Sequence, residues 1–122
     1  MHGFGEHSGR FHEIAKFFAN QNYEVLLIDL NGFGYSGGPR GCSTMENMIN
    51  DVIIMLTQAN PDLPLFMYAH SMGAMITMKL LLSRPEIKVS GVIFTGPFLN
   101  FPADRHFNKM KLWAVKMLGD DL

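Results

Sequence analysis

The stretch LFMYAHSMGAM, residues 65–75, predicts a buried strand that turns directly into a buried helix. Residues 64–69 are apolar and bounded by turn formers, which is typical of a short strand covered on both faces. Residues 72–83 are apolar on nearly every side until an Arg-Pro pair stops the helix, so this helix belongs inside a fold. Ser71 stands at the turn between the two predicted elements.

Two interpretations of Ser71 are open. One is a nucleophile elbow, in which a serine on a sharp strand-to-helix turn projects its hydroxyl at the carboxyl edge of the sheet. The positions two before and two after it must then be small, as Ala69 and Gly73 are, although the usual pattern has glycine at both. The other is an ordinary N-cap serine, which is far commoner than a nucleophile. The order of strand, small residue, serine, glycine and buried helix favours the elbow.

Helices and strands alternate along the rest of the chain. This alternation predicts an α/β fold with a mostly parallel sheet flanked by helices. We expect residues 1–97 to form its core and the aromatic and basic residues 98–122 to begin a cap. The predicted elements are a helix over 11–18, a strand over 23–30, a helix over 45–56 with a capping box from Ser43 and Glu46, strands over 64–69 and 89–96, and helices over 72–83 and 107–117.

The composition limits the classes of function. The 122 residues are 48% hydrophobic, as expected of one globular domain. Ten Lys and Arg against eleven Asp and Glu give a formal net charge of −1, which argues against binding nucleic acid. The single cysteine, Cys42, favours a reducing, cytoplasmic compartment, and no Cys and His spacing predicts a metal site. No segment is apolar enough to span a membrane, but residues 98–113 could associate with a membrane surface instead of packing as a cap.

Two more glycine-rich stretches could carry chemistry. Gly32, Gly34 and Gly37 spell G-x-G-x-x-G after a predicted strand, but the next helix begins only after Ser43, so its N-terminus cannot hold a pyrophosphate. A plain turn, in which glycines supply positive φ, is favoured over nucleotide binding. The stretch HGFGEHSGR, residues 2–10, predicts a loop whose backbone N–H groups could face an oxyanion.

Four motifs together resemble a known family. HGFGEHSGRF, DLNGFGYSGGPRG, NPDLPLFMYAHSMGA and SGVIFTGPFL are similar, in order and spacing, to the monoglyceride lipase and lysophospholipase-like branch of the α/β-hydrolase fold. The resemblance implies a serine ester hydrolase that acts on a lipid-like ester, such as a monoacylglycerol or a lysophospholipid, without a cofactor. By motif position it implies Ser71 as the nucleophile, and the backbone N–H groups of Phe4 and Met72 as the oxyanion hole.

The same motif positions imply supporting roles. His2 would brace the oxyanion loop at Gly3, whereas the side chain of His70, the variable residue of the elbow, should point elsewhere. Ala69 and Gly73 would let strand and helix approach each other closely. The chain departs from the family pattern at Ala69, which adds only a methyl group, at Ala74, where a further glycine is usual, and at NGFG, where RGHG is usual.

A base that could activate Ser71 is missing from the pattern. The fold orders its triad as Ser, then Asp or Glu, then His. Only His106 follows the serine, with Glu86 and Asp104 ahead of it. Asp104 and His106 are two positions apart and would point to different sides of a helix. We therefore expect the acid and the histidine of the triad to lie outside this chain.

The sheet is expected to be incomplete too. In the family topology, the strand that ends at His2 lies between the strands over 23–30 and 64–69. We expect the chain to be the N-terminal and middle part of a longer hydrolase, without its last strands, and to be inactive and poorly folded by itself. Another activity of the same fold, such as a peptidase or an acyltransferase, and a non-catalytic binding protein remain alternatives.

Overall fold

The structure, a computed structural model, describes residues 1–97. The predicted helices over 11–18, 45–56 and 72–83 and the predicted strands over 64–69 and 89–96 are confirmed to within two residues at each end. The proposed cap over 98–122, with its helix and aromatic residues, lies outside the described residues. The elements are a 3₁₀ turn at Ser8–Phe11, α1 at His12–Ala19, α2 at Met45–Leu56, β1 at Phe66–His70, α3 at Met72–Ser83 and β2 at Gly91–Thr95.

The strands β1 and β2 form a parallel pair joined by α3. Their register runs from Phe66 opposite Gly91 to His70 opposite Thr95, so both strands end at the same edge of the sheet. A parallel pair needs a crossover connection, and α3 supplies it while packing against β1. The α/β prediction is confirmed, and the two strand ends meet at Ser71.

The predicted strand over 23–30 is wrong as a sheet strand, since no ladder forms there within residues 1–97. A strand exists only where a neighbouring backbone takes up its N–H and C=O groups. The backbone of Met1 pairs with β1 instead: its amino group donates to Tyr68 O at 2.6 Å, and His70 N–H donates to Met1 O at 3.0 Å. The 23–30 segment bonds to a side chain of the N-terminal segment rather than to its backbone: Leu30 N–H donates to the His2 ring at 3.1 Å.

The predicted capping box of α2 is wrong by one residue. Thr44, not Ser43, is the N-cap: its backbone is extended, with φ −83° and ψ 156°, and its hydroxyl accepts from Asn47 N–H at 3.1 Å. Ser43 Oγ is buried without a hydrogen-bond partner among the described residues. A cap hydroxyl reaches the amide three residues ahead, so the start of the helix at Met45 selects Thr44.

The apolar core lies where α2 and α3 pack together beside the sheet. Val52 of α2 and Ile76 and Leu80 of α3 are fully buried, and Leu30 joins them from the segment before the glycine-rich loop. Burial of a side chain of this size contributes about 1.5 to 3 kcal/mol. This core therefore fixes the start of α3, where Ser71 stands. None of the helices within residues 1–97 is long and apolar enough to cross a membrane.

Candidate active site

Ser71 occupies a strained turn between β1 and α3. Its backbone has φ 49° and ψ −115°, a left-handed conformation that costs a residue with a side chain on the order of 1 to 3 kcal/mol. Its N–H donates to Thr95 O at 3.0 Å, at the end of β2, and its C=O accepts from Ala74 N–H at 3.1 Å. The side chain makes no capping hydrogen bond to α3. An N-cap serine is defined by that bond, so the geometry is that of a sharp strand-to-helix turn.

Position 73 requires glycine because the backbone of Met1 and His2 passes close to it. A Cβ at this position would lie 2.6 Å from His2 O and 3.0 Å from Met1 O. The sequence pattern predicts that small residues are needed because strand and helix approach each other closely at the turn. In the structure the helix is close to the Met1 and His2 backbone, while Ala69 is fully buried within β1 and its methyl group is accommodated.

The loop over residues 3–8 brings a second backbone segment to Ser71. A Cβ on Gly3 would lie 3.1 Å from Ser71 Cβ, closer than ordinary contact, so a side chain there would have to push the two segments apart by a few tenths of an ångström. Gly3 N–H donates to Glu6 Oε2 at 2.8 Å, and Glu6 N–H donates back to Gly3 O at 3.3 Å. The N–H groups of Phe4 and Met72 donate to no other residue in the described part of the chain.

His2 is fully buried and bonded through both ring nitrogens. Leu30 N–H donates to Nε2 at 3.1 Å, so the proton of the neutral ring is on Nδ1, which donates to Gly3 O at 2.8 Å. Desolvation by burial lowers the pKa of His2 below its ordinary value of 6.5. The neutral ring therefore links Gly3 to the end of the 23–30 segment.

His70 bonds away from the serine. Its Nδ1 lies 3.0 Å from Thr95 Oγ1, so Thr95 contacts both elbow residues, the His70 ring through its hydroxyl and the Ser71 amide through its carbonyl. The His70 ring lines a polar cavity of about 200 Å³. The other residues around this cavity are Glu6, Arg10, Phe11, Tyr68 and Thr95.

A more apolar cavity of about 310 Å³ lies between the 3–8 loop and the glycine-rich loop. Phe4 and Phe33 line it and meet edge to face, with ring centroids 5.7 Å apart. Gly32 and Gly34 have positive φ, at 83° and 51°, and α2 does not begin before Met45, as the turn interpretation expects.

Two residues around the site were missed in the sequence. Asp29 accepts backbone hydrogen bonds from Ser8 at 2.6 Å and Tyr35 at 2.8 Å. Burial raises the pKa of its carboxyl, but these hydrogen bonds outweigh that effect and the net pKa is lowered. Thr95, described above, is the other. Neither could have been found from local patterns, because their partners are distant in sequence.

The candidate triad residues are not assembled within residues 1–97. None of the described histidines is hydrogen-bonded to Ser71 Oγ, and no described cluster of His, Cys, Asp or Glu could hold a metal ion. Glu86 lies on the surface with its carboxylate 3.8 Å from Arg84. Asp104 and His106 lie outside the described residues.

Residues 1–121 match the protein family Hydrolase_4, described as serine aminopeptidase S33. The chain belongs to this family. Its members share the α/β-hydrolase fold, and the resemblance to the monoglyceride lipase branch is confirmed by relatives and by a solved structure.

An abhydrolase domain-containing protein of Dictyostelium discoideum is 35% identical over 120 residues, which are 98% of this chain and 13% of that protein. A putative monoglyceride lipase of Schizosaccharomyces pombe is 34% identical over 126 residues, which cover 98% of this chain and 33% of the lipase. The crystal structure of Paleococcus ferrophilus monoacylglycerol lipase has 28% identity and a TM-score of 0.69, over 99% of this chain and 45% of its own. The chain thus spans less than half the length of these relatives.

Proposed function

We propose that the chain carries the nucleophile and the oxyanion donors of a serine ester hydrolase, with Ser71 as the nucleophile. The observation that carries this proposal is the backbone of Ser71, with φ 49° and ψ −115° between β1 and α3, and no capping bond from its hydroxyl. Because Ser71 is strained and its hydroxyl does not cap α3, helix capping does not explain why a serine is kept at this turn. Exposure of Oγ to a bound ester would explain it.

The oxyanion of the tetrahedral intermediate would be bound by two backbone N–H groups. Phe4 follows Gly3, which approaches Ser71 closely, and Met72 is the first residue of α3. Both amides lack an acceptor among the described residues, so they are available to a ligand. Preorganised donors of this kind stabilise charge that appears only in the transition state.

Activation of the hydroxyl requires a base and an acid from outside residues 1–97. His2 uses both ring nitrogens in structural bonds, and His70 bonds to Thr95. His7 and His12 make no bond to Ser71 in the described part of the chain. We propose that His106 is not the base either, because Asp104 and His106 are too close in sequence to pair.

A lipid ester, such as a monoacylglycerol or a lysophospholipid, is the proposed substrate. The monoglyceride and monoacylglycerol lipases among the relatives support this class. The apolar cavity lined by Phe4 and Phe33 beside the proposed oxyanion donor suits an acyl chain. A peptidase is the second candidate, because the family description names a serine aminopeptidase.

The test is fluorophosphonate labelling and ester hydrolysis by the full-length protein. We expect Ser71→Ala to abolish labelling and to lower kcat on the order of 10⁶-fold. The matched control is Ser83→Ala, since Ser83 is a surface serine whose hydroxyl bonds to Lys79 O at 2.8 Å. His106→Ala should retain labelling. Labelling that survives Ser71→Ala would refute the proposal, and cleavage of aminoacyl anilides in preference to monoacylglycerols would select the peptidase.

A further inference from the structure

The loop over residues 3–8 is tied to the rest of the molecule at both ends by two adjacent residues. At its start, Leu30 N–H donates to His2 Nε2 at 3.1 Å, and the same ring donates to Gly3 O. At its end, Asp29 Oδ1 accepts from Ser8 N–H at 2.6 Å. Asp29 and Leu30 therefore hold the loop from one point of the backbone.

The hydrogen bond from Ser8 N–H to Asp29 joins the 3–8 loop to a residue 21 positions away in the sequence. In the described chain, the other hydrogen bonds and ion pairs of residues 3–8 join residues within four positions, such as Gly3 with Glu6 and Glu6 with Arg10. The side chain of Phe4 is 57% exposed and touches Phe33 at one edge. Without the carboxylate, the end of the loop would have no hydrogen bond to the α/β core.

Asp29 is positioned by hydrogen bonds from the glycine-rich loop and by the close approach of Gly34. Its second oxygen accepts from Tyr35 N–H at 2.8 Å, and its backbone C=O accepts from Ser36 Oγ at 2.5 Å. A Cβ on Gly34 would collide with the carboxylate, and Gly34 also has a positive φ of 51°. The Tyr35 side chain is fully exposed, so packing of that ring does not place the loop. The carboxylate thus clamps the glycine-rich loop to the 3–8 loop.

We propose that Asp29 is a positioning residue for oxyanion stabilisation: its ionised carboxylate holds the 3–8 loop so that the Phe4 N–H stays directed at the oxyanion. This inference rests on the proposed function, in which Phe4 is an oxyanion donor. Asp29 transfers no proton. A charged acceptor gives a stronger bond to a backbone N–H than a neutral one, and a preorganised donor avoids reorganisation during the reaction.

The first experiment compares Asp29→Asn with Asp51→Asn in the full-length protein. Asn has one acceptor oxygen and an NH₂ group, so it cannot accept from both Ser8 and Tyr35. Asp51 is the matched control, because its carboxylate accepts a single backbone bond, from Asn31 N–H at 2.7 Å, without contacting the 3–8 loop. We expect kcat to fall about 10- to 100-fold in Asp29→Asn with KM little changed, since misplaced groups cost rate in the transition state.

The second readout is the affinity for an alkyl trifluoromethyl ketone. Ser71 Oγ adds to its carbonyl carbon, the serine proton passes to the base, and the carbonyl oxygen becomes an oxyanion in the proposed hole. Affinity should fall in Asp29→Asn by a factor similar to kcat, and stay unchanged in Asp51→Asn. A purely structural role of Asp29 would lower the melting temperature of Asp29→Asn but leave the kcat and the ketone affinity of the folded variant equal to those of Asp51→Asn.

A third pair of variants tests the same bond from its donor. Ser8→Pro removes the N–H that Asp29 accepts, and proline suits the first position of a helical turn after the extended His7, with φ −156° and ψ 166°. The Ser8 hydroxyl also helps to lower the pKa of the Asp29 carboxyl. Proline removes both the N–H and this hydroxyl, whereas Ser8→Ala removes the hydroxyl alone, so the difference between the two variants measures the contribution of the N–H. Ser8→Pro should reproduce the kcat loss of Asp29→Asn, and Ser8→Ala should lose less.

The inference is overturned if Asp29→Asn and Ser8→Pro, both folded, retain kcat and ketone affinity, or if only their KM changes. If Asp29→Asn does not fold, the Ser8 pair decides alone. Failure of the proposed function is distinguishable, because it appears as labelling and hydrolysis that survive Ser71→Ala.

Discussion

Gly73→Ala tests whether the start of α3 and the 3–8 loop are coupled by packing. The added methyl would lie 2.6 Å from His2 O, whereas ordinary contact begins at 3.4 Å, so the two must separate by about 0.8 Å. Because the atoms met are backbone atoms of Met1 and His2, no side chain can rotate away to make room. The separation must move either α3 or the backbone that leads into Gly3 and Phe4.

The expected free energies follow from that displacement. Overpacking costs about 1 to 3 kcal/mol, and the rigid backbone places this site at the upper end. Replacing glycine by alanine in a helix returns about 1 kcal/mol. The net loss of unfolding free energy is therefore about 2 kcal/mol. A shift approaching 1 Å of the Phe4 amide should lower kcat roughly 10- to 100-fold.

The assay is urea denaturation together with ester hydrolysis, using Gly37→Ala as the control. A Cβ on Gly37 meets nothing within 4 Å and its φ is not left-handed, so alanine there should leave kcat unchanged. Its stability should stay the same or rise by about 0.4 to 1 kcal/mol. If Gly73→Ala matched Gly37→Ala in both stability and kcat, the packing argument would be refuted.

Two further predictions concern the cap of α2 and the buried imidazole. Thr44→Ala should lower the unfolding free energy by about 1 kcal/mol in urea denaturation, because the amide of Asn47 loses its acceptor; an equal or larger effect of Ser43→Ala would contradict the assignment. The lowered pKa of His2 means that the unfolded chain binds its proton more readily, so the stability contributed by the neutral ring is present above about pH 6.5 and is lost as pH falls below it. The stability difference between the wild type and His2→Gln should shrink as pH falls through this window, and a pH-independent difference would show that the ring does not titrate on unfolding.

The helices were predictable because their signals are local. The boundaries of α3 match the prediction, since an apolar run between a turn and an Arg-Pro pair leaves little freedom. The cap of α2 was not predictable to the residue, because Ser43 and Thr44 both carry hydroxyls and the choice depends on where the backbone becomes extended. The prediction of a strand over 23–30 was wrong for a different reason. Its apolar sequence suits a buried strand, but a ladder also needs a partner backbone beside it.

The roles of the motif residues were also predictable where they depend on sequence neighbours and unpredictable where they depend on residues distant in sequence. The order of strand, Ser71, Gly73 and helix was sufficient to predict a sharp turn, because it depends on neighbours in sequence. Asp29 was invisible in that pattern, since its carboxylate joins amides that are 21 and 6 residues away. The same holds for the need for glycine at position 73, which the His2 backbone imposes from across the fold.

By itself, the sequence determined the family, the alternation of helices and strands, and the position of the serine between β1 and α3. Only the tertiary structure decided the φ of Ser71, the tautomer of His2 and the bond from the Ser8 amide to the Asp29 carboxylate. The physical reason is the range of the interactions involved. Helix and turn preferences arise from residues within one or two turns, whereas the geometry of the site depends on hydrogen bonds and close contacts between segments that meet only when the chain is folded.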